Sequence, residues 1–539
     1  MDNSFDYIIV GAGSAGCVIA NRLTEDPSVR VLLLEAGGWD NQFLMKMPLG
    51  AHLMRYPQLN WGFMSEVEPG LGNRPLPLPR GKGLGGSSAV NAMAYSRGHP
   101  KDYDQWRQMG CEGWGYADVL PYFKRSEKSW QGETKHHGGS GELSVEQTPI
   151  HDKLYKEIIA SAEANGYEET PDHHGDKPEG FGVMQFTVDK GRRASASRAF
   201  IHPIKGRKNL VIETGALTRK VVIENGRAVG VEYEQEGQIK TALASREVIL
   251  AAGAYGSPQI LMLSGIGPAE HLKEMGIDVV QDLRGVGQNV SEHASYFIHY
   301  KLKRKVSYLR YLRWDKVAVN LARWWLLRSG PFAHQATSVH AQVRTRPELE
   351  RPDMQIFFNP ASMMAGPWFP VLKPEPIHEF NAIMILLHPE SRGWVKLRSK
   401  DPKDAPRIFL NLLSEQRDID TLVAGLRIAR KVFETPPMAD EIDREIAPGK
   451  EAQSDAELTT YLRRAGMVSH HPVGSCKMGH DEMAVVDPQL RVRGIEGLRV
   501  CDASIMPTVP GGNTNAPTIM VGEKAADLIR GRALVPEEV

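Results

Sequence analysis

Residues 11–16 (GAGSAG) have the glycine spacing of a phosphate-binding turn. Residues 5–10, directly before them, are mostly apolar and predict a buried strand, and residues 15–23 have helical periodicity. A second predicted strand, residues 29–34, ends at Glu35, 24 residues after the first glycine of the turn. This strand–turn–helix–strand order is the context that a dinucleotide-binding motif requires.

The small residues of this unit have separate predicted roles. Gly11 permits the tight turn, Gly13 lets the backbone approach a pyrophosphate, and Gly16 allows the helix to pack closely on the strand. The positive end of the helix then faces the phosphates, and Glu35 is placed to accept hydrogen bonds from a ribose. The unit predicts a dinucleotide, FAD or NAD, bound by Gly11, Gly13, Ser14, Ala15, Gly16, Glu35 and Ala36.

The composition excludes several classes of protein. The 539 residues carry 65 Lys and Arg against 65 Asp and Glu, so no overall positive charge favours nucleic acid as a partner. The four cysteines lie far apart, which argues against a disulfide scaffold or a thiolate metal site, and we predict no bound metal. No run of about 18 apolar residues predicts a membrane-spanning helix. We expect a cytoplasmic protein, and no oligomeric state is predicted.

Two further glycine-rich segments are more distinctive. Residues 80–99 (RGKGLGGSSAVNAMAYSRGH) contain a run of small residues that cannot pack a core, namely Gly81, Gly83, Gly85, Gly86, Ser87, Ser88 and Ala89. This run can lie against a bulky cofactor and offer amide donors to phosphate. Residues 253–267 (GAYGSPQILMLSGIG) follow a predicted strand. Together with residues 285–289 and 389–393, these segments resemble those of the glucose–methanol–choline (GMC) oxidoreductases, which are FAD-dependent flavoenzymes that oxidise alcohols. The resemblance extends from about residue 5 to residue 530.

The resemblance implies a set of FAD contacts. In the family, the residues matching Gly86–Ala94 surround the pyrophosphate and the flavin, the residue matching Val221 contacts adenine through its backbone, and the residue matching Asp502, or its neighbours, contacts the ribityl chain. Some members attach FAD covalently through a His, but Val90 occupies the candidate position here, so we predict non-covalent FAD. The FAD contacts implied by the resemblance are Gly83, Gly86, Ser87, Asn91, Ala92, Met93, Ala94, Val221, Asp502, Ala503, Asn513 and Thr514.

The resemblance also identifies a catalytic pair near the C-terminus. Of His470 and His471, only His471 has Gly474 and Ser475 at the family spacing, and we expect a packing or tunnel-lining role for His470. A hydride leaves an alkoxide readily but a neutral alcohol poorly, so alcohol oxidation needs a base near the hydroxyl, and His has a suitable pKa. Asn513 matches the second active-site position, where its amide can hold the substrate oxygen.

We therefore predict oxidation of an apolar aliphatic or aromatic primary alcohol to the aldehyde. A quinone or a redox protein is the predicted electron acceptor. Choline is disfavoured because residues 330–338 lack the carboxylate that would meet its quaternary ammonium. Four alternatives remain: an oxidase that uses O₂, a choline dehydrogenase, a lyase built on the same framework, and a non-catalytic flavin-bound or membrane-scaffold protein.

The predicted fold class is α/β, with a Rossmann-like FAD-binding domain and an interleaved substrate domain on an antiparallel sheet. The FAD-binding domain is predicted to consist of residues 1–155, 192–292 and 462–539, and the substrate domain of residues 156–191 and 293–461. This division separates the dinucleotide motifs from the segments that lack them.

Residues 301–328 depart from the neutrality of the chain, with nine Lys and Arg against one acid and five aromatic residues. They are compatible with an interfacial segment on anionic lipid, at the inner face of the cell membrane. They are also compatible with a pair of helices whose Trp side chains pack inward and whose basic side chains face water. We favour the packed helices.

Overall fold

Two large β-sheets organise the chain, of which the computed structural model describes residues 4–48, 56–149, 154–360, 365–370, 372 and 374–538. Five strands of the first sheet run parallel, in the order Leu210–Thr214, Val31–Glu35, Ser4–Val10, Gln238–Leu250 and Leu498–Val500. The antiparallel strands Arg227–Gln235 and Leu217–Glu224 extend this sheet from the first half of Gln238–Leu250.

The dinucleotide unit has the predicted order of elements. Strand Ser4–Val10 leads into helix Ser14–Leu23, and strand Val31–Glu35 follows. All five residues of Val31–Glu35 are buried, as expected for a parallel strand covered on both faces. Helix Asn515–Ile529, from the end of the chain, packs on Ser14–Leu23 and completes this layer.

The second sheet is mainly antiparallel and comes from the middle of the chain. Its strands follow the order Ile442–Ala447, Ala294–Leu302, Glu379–Leu386, Met354–Asn359, Val339–Val343, Gly180–Val183 and Glu169–Thr170, and Met467–Val468 pairs with the start of Ala294–Leu302. Helix Gln416–Phe433 covers one face, where alternate residues such as Tyr296 and Met384 belong to the main hydrophobic core. On the opposite face, Phe357 and Ile385 pack with Met93 of the glycine-rich segment 80–99.

The remaining elements are shorter. The other α-helices are Pro100–Gln108, Tyr116–Ser126, Tyr155–Glu163, Gly253–Leu263, Ala269–Glu274, Trp314–Leu327, Met438–Glu441 and Asp455–Ala465. Short strands are Phe63–Met64, Pro77–Leu78, Glu127–Ser129, Leu143–Gln147, Gln185–Phe186, Val188–Asp189, Arg192–Arg193, Ile266–Gly267, Gln281–Asp282, Trp394–Lys396 and Arg407–Phe409. Single helical turns are Phe43–Lys46, Pro57–Leu59, Pro69–Leu71, Gly86–Ala89, Ser197–Ile201, His202–Ile204, Tyr308–Tyr311, Pro331–Ala333 and Ala503–Ile505.

This architecture confirms the predicted fold class. Both predicted segments of the substrate domain contribute strands to the second sheet. One strand, Met467–Val468, pairs with that sheet although it lies beyond residue 461, where the predicted substrate domain ends. The exact domain boundaries stay predictions.

Residues 301–328 differ from the predicted pair of helices. They contain the end of strand Ala294–Leu302, the single helical turn Tyr308–Tyr311 and one α-helix, Trp314–Leu327. Trp324 packs inward and donates its indole N–H to the carbonyl oxygen of Gly191 at 2.7 Å, whereas Trp314 and Trp325 are exposed. The packed interpretation therefore fits only part of the segment. Across the described ranges, no helix combines the length and apolar composition needed to cross a bilayer.

Candidate active site

A cavity of about 290 Å³ opens at the carboxyl ends of strands Ser4–Val10, Val31–Glu35 and Gln238–Leu250, where open α/β sheets bind ligands. The predicted site residues that line it are Gly11, Gly13, Ser14, Ala15, Glu35, Ala36, Gly86, Ser87, Asn91, Ala92, Met93, Ala94, His471, Asp502, Ala503, Asn513 and Thr514.

The glycines of this cavity have steric roles that the structure makes explicit. A Cβ atom on Gly16 would lie 1.9 Å from the carbonyl oxygen of Gly11, so Gly16 allows the helix to approach the strand and does not itself line the cavity. A Cβ atom on Gly86 would lie 2.8 Å from the Cα of Gly13. Gly13 has free space at its own Cβ position, with one backbone oxygen at 3.9 Å. Gly13 is therefore the glycine that leaves room for a cofactor.

Besides Gly16, two predicted FAD contacts lie outside the cavity wall. Gly83 has a φ of 146° and pairs with Gly38, so its contribution is to the backbone path of the loop. Val221 is buried, and its N–H donates to Ser264 Oγ at 2.8 Å. The wall in this region is formed by residues 216–218, where the strand begins. The N–H of Val221 is therefore engaged by Ser264, and the predicted backbone contact of Val221 with adenine stays a prediction.

Two helix N-termini meet at the cavity and favour a bound anion. Ser14 Oγ donates to Asn515 Oδ1 at 2.8 Å, which joins the starts of helices Ser14–Leu23 and Asn515–Ile529. Unpaired N–H groups at a helix N-terminus carry partial positive charge and suit a pyrophosphate. Glu35, at the same wall, accepts N–H bonds from Ala12 at 3.1 Å and Gly37 at 2.8 Å. A carboxylate has further acceptor capacity for a ribose hydroxyl.

Asp502 lines the cavity, but its carboxylate is engaged by the protein. Oδ2 accepts the N–H of Gly253 at 2.9 Å and the hydroxyl of Ser257 at 2.5 Å, and Oδ1 accepts the N–H of Ser504 at 2.8 Å. Burial raises the pKa of Asp502, and these donors oppose the rise. Asp502 therefore holds the start of helix Gly253–Leu263 at the cavity and leaves cofactor contact to its neighbours.

A chain of hydrogen bonds fixes the protonation of the His471 ring. His293 Nε2 lies 3.0 Å from the carbonyl oxygen of Leu387, which can only accept, so His293 carries its proton on Nε2. Burial lowers the pKa of His293 to about 3, so its Nδ1 is unprotonated. That Nδ1 lies 3.0 Å from His471 Nδ1, which must be the donor. In a neutral His471 ring the other nitrogen, Nε2, keeps its lone pair.

This lone pair lies beside Asn513 at the cavity wall. Burial, reinforced by the neighbouring His293, lowers the pKa of His471 well below its usual value, so the ring is neutral. Asn513 Nδ2 donates to His471 Nε2 at 3.0 Å, and Asn513 Oδ1 is buried with no partner among the described residues. Because the amide nitrogen of Asn513 carries two N–H donors, one hydroxyl oxygen can contact both Asn513 Nδ2 and His471 Nε2, as proton abstraction from an alcohol requires.

Three residues of this region were missed by sequence reasoning. His293 orients His471, and Glu292 Oε1 accepts the backbone N–H of His471 at 2.7 Å. Burial raises the pKa of Glu292 to about 8. Arg193 is buried and donates to the carbonyl oxygen of Asn91 at 2.6 Å and to its side-chain oxygen at 2.8 Å. These contacts join residues 102 to 179 positions apart, and no local spacing signals them.

On the face of the second sheet that carries His293, the two rows of cross-strand neighbours that follow it along the strand are uncharged. These rows are Ser295, Ile385 and Gln355, then Phe297, Ile383 and Phe357. Phe357, Ile383 and Ile385 pack in one cluster with Met93 of the glycine-rich segment. Among the described residues of these rows none is a carboxylate, and Glu379, further along the face, lies 4.0 Å from His299. The described residues also include no group of three His, Cys, Asp or Glu placed to hold a metal.

Comparison with known proteins identifies the family of this chain. Family models described as GMC oxidoreductase match residues 5–295 and 389–522. An oxygen-dependent choline dehydrogenase from Chromohalobacter salexigens is 45% identical over 540 residues, which cover 99% of this chain and 96% of the relative. An oxygen-dependent choline dehydrogenase from Sinorhizobium fredii is 43% identical over 530 residues, which cover 98% of this chain and 96% of the relative.

Two solved structures have the same fold as this protein over nearly the whole chain. Pyridoxine 4-oxidase from Mesorbium loti has a TM-score of 0.87 and 28% identity, with 97% of this chain and 98% of that chain covered. Formate oxidase from Aspergillus oryzae has a TM-score of 0.91 and 26% identity, with 98% of each chain covered. The chain therefore belongs to the GMC oxidoreductase family and is an FAD-dependent flavoprotein, as its glycine-rich segments predict.

Proposed function

We propose that this protein oxidises an uncharged primary alcohol, aliphatic or aromatic, to the aldehyde. The observation that carries the proposal is the unprotonated Nε2 of the buried His471, 3.0 Å from the amide nitrogen of Asn513. A substrate hydroxyl between them would give its proton to His471 Nε2 and accept a hydrogen bond from Asn513. Bound FAD supplies the acceptor for the hydride that leaves the same carbon.

The two uncharged rows of the second sheet support the substrate class. Phe297, Phe357 and Ile383 offer apolar surface on the side of the sheet that carries His293. Thr337, within residues 330–338, donates to Asn359, and Asn359 donates to Asn381 at 3.0 Å, so this polar group is neutral as well. An apolar substrate gains from such a surface, whereas a buried quaternary ammonium without a counter-charge loses hydration.

Choline is a second candidate substrate, since the two curated relatives are named choline dehydrogenases and are 43% and 45% identical to this chain. On this surface its trimethylammonium would depend on the faces of Phe297 and Phe357, because cation–π attraction is what a carboxylate-free site can offer. We therefore expect choline to reduce the flavin more slowly than an uncharged alcohol of similar size.

The identity of the electron acceptor distinguishes two candidate activities, a dehydrogenase and an oxidase. We propose a quinone or a redox protein as acceptor. The alternative, O₂, is favoured by the names of the relatives, which are called oxygen-dependent, and by two structural neighbours that are oxidases. Peroxide formed per alcohol consumed, measured in air with and without an added quinone, distinguishes a dehydrogenase from an oxidase.

The test of the proposed function is anaerobic bleaching of the flavin absorbance by aliphatic, aromatic and polyol alcohols and by choline. We expect the His471→Ala variant to retain FAD. Its bleaching rate should fall by about 100-fold or more, because the base is lost. The exposed His480→Ala variant serves as the matched control and should keep the wild-type rate. Unchanged bleaching in His471→Ala would overturn the proposal, and so would a flavin that no alcohol reduces.

A further inference from the structure

Helix Trp314–Leu327 buries one side and exposes a second side that is apolar. Val317, Asn320 and Trp324 face the protein. At 100° per residue, six exposed apolar residues share an arc of roughly 140°, and they are Trp314, Ala318, Val319, Ala322, Trp325 and Leu326. Leu327, in the last turn, is exposed outside this arc. The outward side of a helix in a globular protein is normally polar. Leu326 is 74% exposed and Leu327 70%, so water covers side chains that gain free energy on burial.

The exposed apolar surface extends onto the short helix Phe43–Lys46. The ring centroid of Phe43 lies 5.1 Å from that of Trp325, and Phe43 and Leu44 are exposed. We call the combined surface the apolar patch, which comprises Phe43, Leu44, Trp314, Val319, Trp325, Leu326 and Leu327. A contiguous surface of this kind marks an interaction site rather than scattered exposure.

The rim of the apolar patch is basic. Lys316 and Arg323 are exposed at one edge of the arc, and within the described residues neither has a carboxylate at 4.0 Å or less. Arg328 lies over the ring of Trp325, 5.1 Å from its centroid. The acid in the arc, Asp315, is neutralised by Arg313 at 2.6 Å. The uncompensated charge around the patch is therefore positive.

The apolar patch adjoins the cofactor site. Trp324, beneath it, donates to the carbonyl oxygen of Gly191 at 2.7 Å, and Arg193, two residues on, donates to Asn91 of the glycine-rich segment. On the other side of the patch, Met45 packs in a cluster with Val90 of the same segment. A surface that covers the patch would thus lie next to the part of the chain that binds FAD.

We propose that the apolar patch docks on an anionic lipid surface. Trp, Phe and Leu side chains partition into the boundary between head groups and acyl chains, while the flanking Lys and Arg contact anionic head groups. The charge favours this occupant over a second copy of the chain, because a twofold contact would bring two positive rims together. Docking itself does not depend on which alcohol the enzyme oxidises.

The test is co-sedimentation of the holoenzyme with vesicles of phosphatidylcholine, with and without phosphatidylglycerol. We expect binding to vesicles that contain phosphatidylglycerol, weakened by salt, and little binding to phosphatidylcholine alone. The double variant Trp325→Ser/Leu326→Ser should lose about 10-fold or more in partition coefficient, and Lys316→Glu/Arg323→Glu a similar factor. The matched control, Ile239→Ser/Leu243→Ser, removes exposed apolar side chains from the first sheet and should bind like wild type.

Retained FAD absorbance and an unchanged Tm establish that each variant is folded. Wild-type protein that stays in the supernatant with phosphatidylglycerol vesicles would overturn the proposal, as would unaltered binding by both patch variants. Sedimentation velocity over a range of protein concentrations examines the other occupant. A dimer that Trp325→Ser/Leu326→Ser abolishes, without lipid binding by wild type, would assign the patch to a second copy of the chain.

Discussion

The amide of Asn513 meets the base at the cavity wall and is the group that can hold a substrate oxygen there. Its Nδ2 donates to His471 Nε2 at 3.0 Å. We expect Asn513→Ala to slow anaerobic flavin reduction by about 100-fold, because loss of one hydrogen-bond donor to a developing oxyanion costs roughly 10²–10³ in rate. The Asn513→His variant retains a donor and should keep more of the rate. Equal rates for Asn513→Ala and wild type would exclude this role.

The buried carboxyl of Glu292 should make stability depend on pH. Burial raises its pKa from 4.5 to about 8, so the native protein holds a proton that the unfolded chain releases above about pH 4.5. Unfolding therefore releases a proton between these two values, and stability falls as the pH rises from about 5 to 8.

Glu292→Gln is neutral at every pH and should remove this part of the pH dependence. We expect the difference in Tm between about pH 6 and about pH 8.5 to be smaller in the variant than in wild type. Glu168→Gln, at an exposed position, is the control. A variant with the same pH slope as wild type would show that Glu292 does not carry a raised pKa.

At the scale of elements, two glycines near the junction of strand Ser4–Val10 and helix Ser14–Leu23 have different roles, Gly16 in packing and Gly13 in cofactor binding. A Cβ atom on Gly16 would clash with a backbone oxygen at 1.9 Å, whereas one on Gly13 would meet a single atom at 3.9 Å. We expect Gly16→Ala to lose about 3 kcal/mol or more of stability, since the helix must move off the strand. Gly13→Ala should fold normally but retain less FAD, because the methyl group occupies space beside the cavity.

Thermal unfolding and the ratio of flavin to protein absorbance measure these two effects separately. Gly206→Ala is the matched control, because no atom lies within 4 Å of its Cβ position and its φ is not positive. Loss of FAD without loss of Tm in Gly16→Ala would contradict its packing role. Full FAD content in Gly13→Ala would contradict the predicted close approach of the cofactor.

Elements whose pattern is local were predictable from the sequence. The unit from Ser4 to Glu35 was predicted because strand, turn and helix are encoded by contiguous periodicity and glycine spacing. Helix Trp314–Leu327 was only partly predicted, because composition reports basic and aromatic content but not which side chains face inward. The position of Val221 was predicted from resemblance, and the bond from its N–H to Ser264 has no signature in sequence.

At the scale of the whole molecule, the active site depends on contacts between distant segments. His471 receives its orientation from His293, 178 residues earlier, which is in turn fixed by Leu387. The family resemblance identified His471 and Asn513, yet the tautomer that makes His471 a base follows from these long-range bonds. Such contacts depend on how the two sheets meet, and periodicity along one segment does not encode that.

The buried carboxylate of Glu523 connects the two ends of the chain. It accepts bonds from Arg22 at 2.7 and 2.9 Å and from Arg125 at 2.7 Å, and its side chain is fully buried. Because removal of one partner leaves buried charge uncompensated, we expect Glu523→Gln to cost about 3 kcal/mol.

Helix Asn515–Ile529, which contains Glu523, also begins at the cofactor cavity, so the same variant should lose FAD at a lower temperature than wild type. Release of FAD fluorescence on heating, together with circular dichroism, measures both transitions. The exposed pair of Lys177 and Glu168 provides the control, since Glu168→Gln should leave both midpoints unchanged. If Glu523→Gln also leaves both unchanged, the ends of the chain are held by apolar packing of the two helices, and the ion pairs contribute specificity rather than stability.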